Sequence, residues 1–124
     1  MELSIIIVNY KCKEKTINCI DKIYQSNLEN INFEIILVDN NSDDKILDIV
    51  KDKYSQVIFI QTEKNLGMGG GNNVGIKIAK GDYVLILNPD TAPENTAIKK
   101  MLFDLKTDQS IGLIGPKLLY PDGK

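Results

Sequence analysis

Runs of consecutive apolar residues recur along this chain, with helix-patterned segments between them. Ile5-Ile6-Ile7-Val8, inside a strand-like stretch from Leu3 to Val8, is continuously apolar, as in a strand covered on both faces. Phe33 to Val38, Val57 to Ile60 and Tyr83 to Leu87 repeat the pattern, and Ile111 to Ile114 predicts a fifth strand. Between them, Ile17, Ile20, Ile23, Tyr24 and Leu28 keep the helical period over Lys13 to Leu28. Ile46, Leu47, Val50 and Tyr54 do the same over Asp43 to Tyr54, where Asp43 and Asp44 suit the positive end of a helix. The segment Gly69 to Lys80 predicts a helix from about Asn72 onward, with Gly81 as its stop. Pro93 to Thr107 predicts the last helix, with Ile98, Met101, Leu102 and Leu105 inward and Pro93 in the first turn.

Strand and helix in alternation, with strands apolar throughout, specify an α/β fold: a three-layer, mostly parallel, doubly wound sheet with right-handed crossovers. A strand order 3-2-1-4 places the switch point between the first and fourth strands. Ligands of open α/β sheets bind there, outside the carboxyl ends of the strands. Those ends are polar here. Val8 is followed by Asn9-Tyr10, Val38 by Asp39, and Leu87 by Asn88-Pro89-Asp90-Thr91.

Each corner has a plain structural reading and a chemical one. Asp39 heads the run Asn40-Asn41-Ser42-Asp43-Asp44, which suits a turn and helix cap. As a ligand group, the Asp39 carboxylate matches the ring N–H of uracil or thymine, or the N–H edge of guanine. Asn41, Ser42 and Asp43 can cap while Asp39 binds. Asn88-Pro89-Asp90 can be a simple turn. Asp90 can also hold a hard cation such as Mg²⁺ or Mn²⁺ through oxygen, and that cation can clamp a diphosphate. Tyr10, at a strand end beside Asp39, can lie against a base. The run Asn65 to Gly75 carries five of the nine glycines, which lets backbone approach a ligand closely. It contains no dinucleotide-binding register of glycines, and no Gly-Lys-Ser/Thr follows it.

Composition narrows the chemistry. With 124 residues and 43% hydrophobic content the chain can bury a single core. A net charge of −2 argues against a basic nucleic-acid surface, and the absence of Trp against a stacking platform for single strands. No histidine is present, which excludes a histidine general base, a Ser-His-Asp triad and histidine zinc sites within this chain. Cys12 and Cys19 make no disulfide framework and read as reduced structural thiols, Cys19 near an apolar helix face. The longest apolar runs are too short for a membrane span, and Met1 leads directly into a strand, so no signal peptide is expected. The tail from Gly115 reads as a loop entering a hairpin turn at Pro121-Asp122-Gly123. The returning strand would lie beyond Lys124, so the tail suggests a fragment, with a floppy natural terminus as the alternative.

Four segments together carry a resemblance: Ser4 to Tyr10, Val38 to Asp44, Asn65 to Gly75, and Gly81 to Asp90. In order and spacing they resemble family 2 glycosyltransferases. The Asn-Pro-Asp variant and the Gly-Gly-Gly-Asn-Asn run are most similar to the rhamnosyltransferase-like subgroup. The resemblance implies the GT-A fold, a Rossmann-like nucleotide-binding half, and inverting transfer of a sugar from a nucleotide-diphosphate donor to an acceptor hydroxyl. It implies that Val8, Asn9 and Tyr10 line a nucleoside pocket and that Asp39 binds the base. It places Asn41 after that aspartate, and Asn65, Asn72 and Asn73 in a loop near base, ribose and phosphates. Asn88 and Asp90 take the outer positions of the Asp-x-Asp metal motif. Asn88 replaces its first acid, which leaves Asp90 to hold the metal, with Mg²⁺ or Mn²⁺ as the expected cofactor. Asn72 stands where the family often has Arg.

The family's catalytic base lies in a second half. The expectation is therefore a donor-binding domain spanning 1–124, truncated before the acceptor-binding half, with no catalytic residue of its own. The implied partners are a UDP-, dTDP- or GDP-linked sugar and a glycan or lipid-linked acceptor, in the cytoplasm or at the inner membrane face, in polysaccharide biosynthesis. The alternative is a non-catalytic nucleotide-sugar-binding module. A nicotinamide-dependent oxidoreductase on a related fold is disfavoured by the missing glycine fingerprint.

Overall fold

The computed structural model describes residues 1–119 and Asp122. Four strands, β1 (Leu3–Asn9), β2 (Phe33–Asp39), β3 (Ile58–Gln61) and β4 (Tyr83–Leu87), alternate with four helices. The helices are α1 (Lys13–Gln25), α2 (Ile46–Lys53), α3 (Gly67–Ile78) and α4 (Ala97–Thr107). The sheet order is β3-β2-β1-β4, the order on which the placement of the switch point depends, and every pairing is parallel.

Strand alternation divides the core. Leu3, Ile5 and Ile7 of β1, with Ile35 and Leu37 of β2, face α1, α2 and α4 and meet Cys19, Ile20, Ile23, Ile46, Val50 and Ile98. Ile6, Val8, Ile36 and Val38 face the other way, toward Val74 and Ala79 around α3. Both faces of β1 and β2 are thus dry, which explains their unbroken apolar sequence. β4 is covered on one face: Tyr83, Leu85 and Leu87 pack on the larger core, while Val84 and Ile86 are 44% and 50% exposed.

Glycine dictates how α3 sits. A Cβ on Gly75 would lie 2.6 Å from Cγ2 of Ile6, and one on Gly71 would lie 2.8 Å from Cγ1 of Val8. These two residues, one turn apart, let α3 rest directly on β1. Gly69, by contrast, faces open space.

Several expectations need correction. The glycine run is not a loop: α3 begins at Gly67, since close packing on β1 offsets poor helix propensity. α2 begins at Ile46, not Asp43, because Asn41, Asp43 and Lys45 all take left-handed φ values and carry the chain around a tight bend first. α1 stops at Gln25 and α4 starts at Ala97, four residues after Pro93. Ile111 to Ile114 forms no strand: Leu113 is 91% exposed, and an apolar run this short gains strand structure only by pairing. Pro121 and Gly123 of the expected hairpin turn lie outside the described residues.

Candidate functional site at the carboxyl ends of the strands

The register sets the site. Asn9 pairs with Asp39 across β1 and β2, and Ile7 pairs with Leu87 across β1 and β4. The polar corners after Val8, Val38 and Leu87 therefore share one edge of the sheet, adjacent strands lying about 5 Å apart.

Asn9 is the hub of the β1–β2 corner. It points toward α1 and is fully buried. Its Nδ2 donates to Oδ1 of Asp39 at 2.8 Å, Oγ of Ser42 at 3.0 Å and Oδ2 of Asp44 at 3.0 Å. Its Oδ1 accepts from Oγ1 of Thr16 at 2.7 Å, and the Cys12 thiol approaches to 3.5 Å. One buried amide thus joins β1, β2, the start of α1 and the bend before α2. A buried carboxamide is tolerated because its capacity is filled.

Asp39 is 3% exposed. Its Oδ1 accepts from Asn9 and from the Ser42 hydroxyl in a very short bond. Its Oδ2 receives the Ser42 backbone N–H at a long 3.3 Å. A carboxylate oxygen has two lone pairs, so Oδ2 keeps capacity for a ligand N–H. Ser42 therefore serves Asp39 rather than capping α2, and Oδ1 of Asp44 takes the Ile46 N–H at 3.2 Å instead.

Asn40 was missed by the sequence reasoning. One position past Asp39, it points to the opposite face, toward α3. Buried to 1% exposure, it donates from Nδ2 to the Gly67 carbonyl at 2.8 Å and accepts from Thr62 at 3.3 Å and the Leu66 N–H at 3.4 Å. It ties the end of β2 to the first turn of α3. Strand parity and the neighbouring glycine run were the signal that could have found it.

The β4 corner is built differently. Asn88 and Asp90 are exposed and Pro89 is buried between them. The Asn88 carbonyl accepts the Thr91 N–H at 3.1 Å, closing a turn, and the Thr91 hydroxyl at 2.6 Å. Behind it lies Cys19 of α1, fully buried, its thiol 3.8 Å from the same carbonyl. Burial pushes the Cys19 thiol up to about 11, helped by the nearby Asp90 charge and opposed by the Thr91 hydrogen bond, so it stays protonated at neutral pH.

The other expected residues fall as follows. Val8 is buried beneath Gly71, so its side chain and that of Asn9 support the edge from below. Tyr10 is 42% exposed, with the Lys11 ammonium 5.3 Å from its ring centre. Asn41 is exposed in the bend. Asn65 accepts the Gly67 N–H at 2.9 Å, at the start of α3. Asn72 and Asn73 lie within α3, half-buried and exposed. Among the described residues no three His, Cys, Asp or Glu side chains gather into a metal cluster. Two surface depressions lie elsewhere: one of about 350 Å³ between Lys22, Ser26 and Pro93, the other of about 690 Å³ beside Met1, Asp82 and Lys106. Neither is lined by Asp39 or Asp90.

Residues 4–123 match the family described as glycosyl transferase family 2. The chain belongs to that family. An Escherichia coli UDP-Glc:alpha-D-GlcNAc-diphosphoundecaprenol beta-1,3-glucosyltransferase, WfaP, is 35% identical over 111 residues, covering 88% of this chain and 43% of that protein. Among solved structures, S. aureus TarS 1-349 in complex with UDP-GlcNAc superposes with a TM-score of 0.76 at 24% identity, over 86% of this chain and 32% of that one. The mannosyltransferase PcManGT from Pyrobaculum calidifontis, in complex with GDP-Man and Mn²⁺, gives 0.76 at 17% identity, over 84% and 32%. The chain spans less than half the length of each. The family 2 membership and the parallel α/β sheet of the GT-A type agree with the sequence-based expectation. Among the described residues no helix is long and apolar enough to cross a membrane.

Proposed function

We propose that this chain is the donor-binding part of an inverting glycosyltransferase, holding a nucleotide-diphosphate sugar across the carboxyl ends of β1, β2 and β4. The observation that carries this reading is the register that sets Asn9, Asp39 and the Asn88–Asp90 turn on one edge of the sheet. Family membership supports it, as do the nucleotide and nucleotide-sugar complexes of similar folds. The Asn-Pro-Asp turn and the triple-glycine helix start support the rhamnosyltransferase-like subgroup.

Asp39 binds the base through Oδ2, its other oxygen being held by Asn9 and Ser42. Tyr10, exposed at the tip of β1, lies against the nucleoside. Asn41, Asn65, Asn72, Asn73 and Asn88 supply amides around base, ribose and phosphates. These groups position the donor, and positioning alone removes much of the barrier to transfer.

The donor set at the β4 corner fits a hard, oxygen-seeking cation that takes its remaining oxygens from diphosphate and water: one carboxylate and one amide, both exposed. Asp90 would hold it, with Asn88 beside it. When bound, Mg²⁺ or Mn²⁺ neutralises charge on the departing diphosphate. The general base for the acceptor hydroxyl comes from outside residues 1–124, in an acceptor-binding half. The acceptor is a glycan or a lipid-linked glycan, and the diphosphoundecaprenol-linked acceptor in the name of the WfaP relative supports the lipid-linked form; the reaction takes place in the cytoplasm or at the inner membrane face.

The test is titration of the chain with UDP, dTDP and GDP, with and without Mn²⁺. One of the three binds, Mn²⁺ tightens it, and Asp39→Ala weakens it. No binding by wild type, with Asp39→Ala indistinguishable from it, would sink the proposal.

A further inference from the structure

The Asn88 carbonyl sits between the last residue of β4 and the carboxylate of Asp90, and it is unusually well served. It accepts the Thr91 backbone N–H at 3.1 Å, the Thr91 hydroxyl at 2.6 Å and the Cys19 thiol at 3.8 Å. The thiol and hydroxyl are themselves 3.9 Å apart. A carbonyl oxygen has two lone pairs, so three donors saturate it. Two consequences follow. That carbonyl has no capacity left to ligate a cation, which leaves Asp90 as the charged oxygen donor of the turn. The turn is also pinned from beneath by α1, through a fully buried residue, rather than by its own backbone bond alone.

Resting on the donor-site reading above, we infer that Thr91 and Cys19 are positioning residues for the cation: their side chains fix the Asn88 carbonyl and so the direction in which the next turn residues present Asp90. Thr91 carries most of the effect, because a hydroxyl is a stronger donor than a thiol and its bond is far shorter. Neither side chain touches the cation. Each acts through the turn, as partners behind a metal ligand act by orienting it. Pro89, buried between Asn88 and Asp90, limits the other ways the turn could relax.

The experiment measures free Mn²⁺ by electron paramagnetic resonance, in the presence of UDP, for the 124-residue chain and its variants. UDP affinity in EDTA and the urea midpoint are measured alongside. Thr91→Val keeps the backbone N–H and the side-chain shape but removes the hydroxyl, and weakens Mn²⁺ about tenfold, in the range typical of groups behind a metal ligand. Thr91→Ser restores wild-type affinity. Cys19→Ala loses about threefold, as befits a weak S–H donor, and Cys19→Ser loses less. UDP affinity in EDTA stays at the wild-type value throughout, which a general loss of structure would not allow. Wild-type Mn²⁺ affinity in both Thr91→Val and Cys19→Ala, while Asp90→Asn loses it, overturns this inference alone. Wild-type affinity in Asp90→Asn as well brings down the donor-site reading with it. Should Thr91→Val not fold, Cys19→Ala decides: unchanged Mn²⁺ affinity there counts against the inference.

Discussion

The two corners of the binding edge are built on opposite principles. At the β1–β2 corner Asn9, Asp39, Ser42 and Thr16 are buried and, with half-buried Asp44, form one hydrogen-bonded network that leaves only Oδ2 of Asp39 with capacity to spare. At the β4 corner Asn88 and Asp90 stand in solvent on a turn held from behind. The same contrast runs through the strands beneath, since β1 is dry on both faces and β4 on one. On the proposed donor-site reading, the difference matches what each end would recognise. A base presents fixed donors and acceptors, so a rigid carboxylate with one oxygen spare can read it. A diphosphate with its cation brings its own charge and ligands, so an exposed carboxylate would suffice to meet it.

Breaking the closed corner has the largest expected effect. Asn9→Ala leaves two carboxylates and two hydroxyls, three of these four groups buried, without their shared partner, and costs on the order of 3 kcal/mol in urea denaturation. Asp90→Asn, in the open corner, changes stability by less than about 0.5 kcal/mol while weakening Mn²⁺ binding. Equal costs at both sites would erase the distinction.

The thiol behind the open corner gives a pH test. Cys19 goes from an ordinary value of 9.0 to about 11 on burial. Below pH 9 both states keep the proton and the stabilisation from the neutral thiol is complete. Above it the unfolded chain loses its proton first, so the folded state binds more protons and stability falls as pH rises toward 11. Relative to Cys19→Ala, wild type loses on the order of 2 kcal/mol across that window. Matched stability profiles for the two proteins would show the thiol to be less enclosed than it stands here.

Within α3 the contrast sharpens to neighbouring turns of one helix. Gly75→Ala drives a methyl against Ile6 and costs about 1–3 kcal/mol. Gly69→Ala meets nothing and stabilises by up to about 1 kcal/mol through helix propensity. Thermal or urea unfolding of the two variants reads both signs.

These variants also show where the sequence was informative. The parallel α/β class and the three polar strand ends were legible, because buried strands leave long apolar runs, and the strand order is one of the few ways such a sheet can be connected. The glycine run was misjudged. Its composition suggested a loop up to about Asn72, whereas the chain is helical from Gly67, and Gly71 and Gly75 let that helix rest on Val8 and Ile6, a fact set by tertiary contact. Ser42 looked like a cap and instead holds Asp39, since the left-handed bend at Asn41, Asp43 and Lys45 displaces the helix start. Asn40, Thr91 and Cys19 carry no motif. The roles of Asn40 and Cys19 come from contacts between elements, β2 with α3 and the β4 turn with α1, while that of Thr91 comes from the local turn geometry at Asn88.

The central claim is that base and diphosphate are held on this one edge, between Asp39 and Asp90. Its most direct test is paramagnetic broadening of backbone amide signals by Mn²⁺ bound together with UDP. The account predicts strong broadening at Asn88 to Thr91, graded broadening across Tyr10 and Asn40, and none at Glu2, Asn32 or Lys106 at the opposite end of the strands. Broadening centred on that opposite end, or spread evenly over the surface lysines and acids, would contradict it.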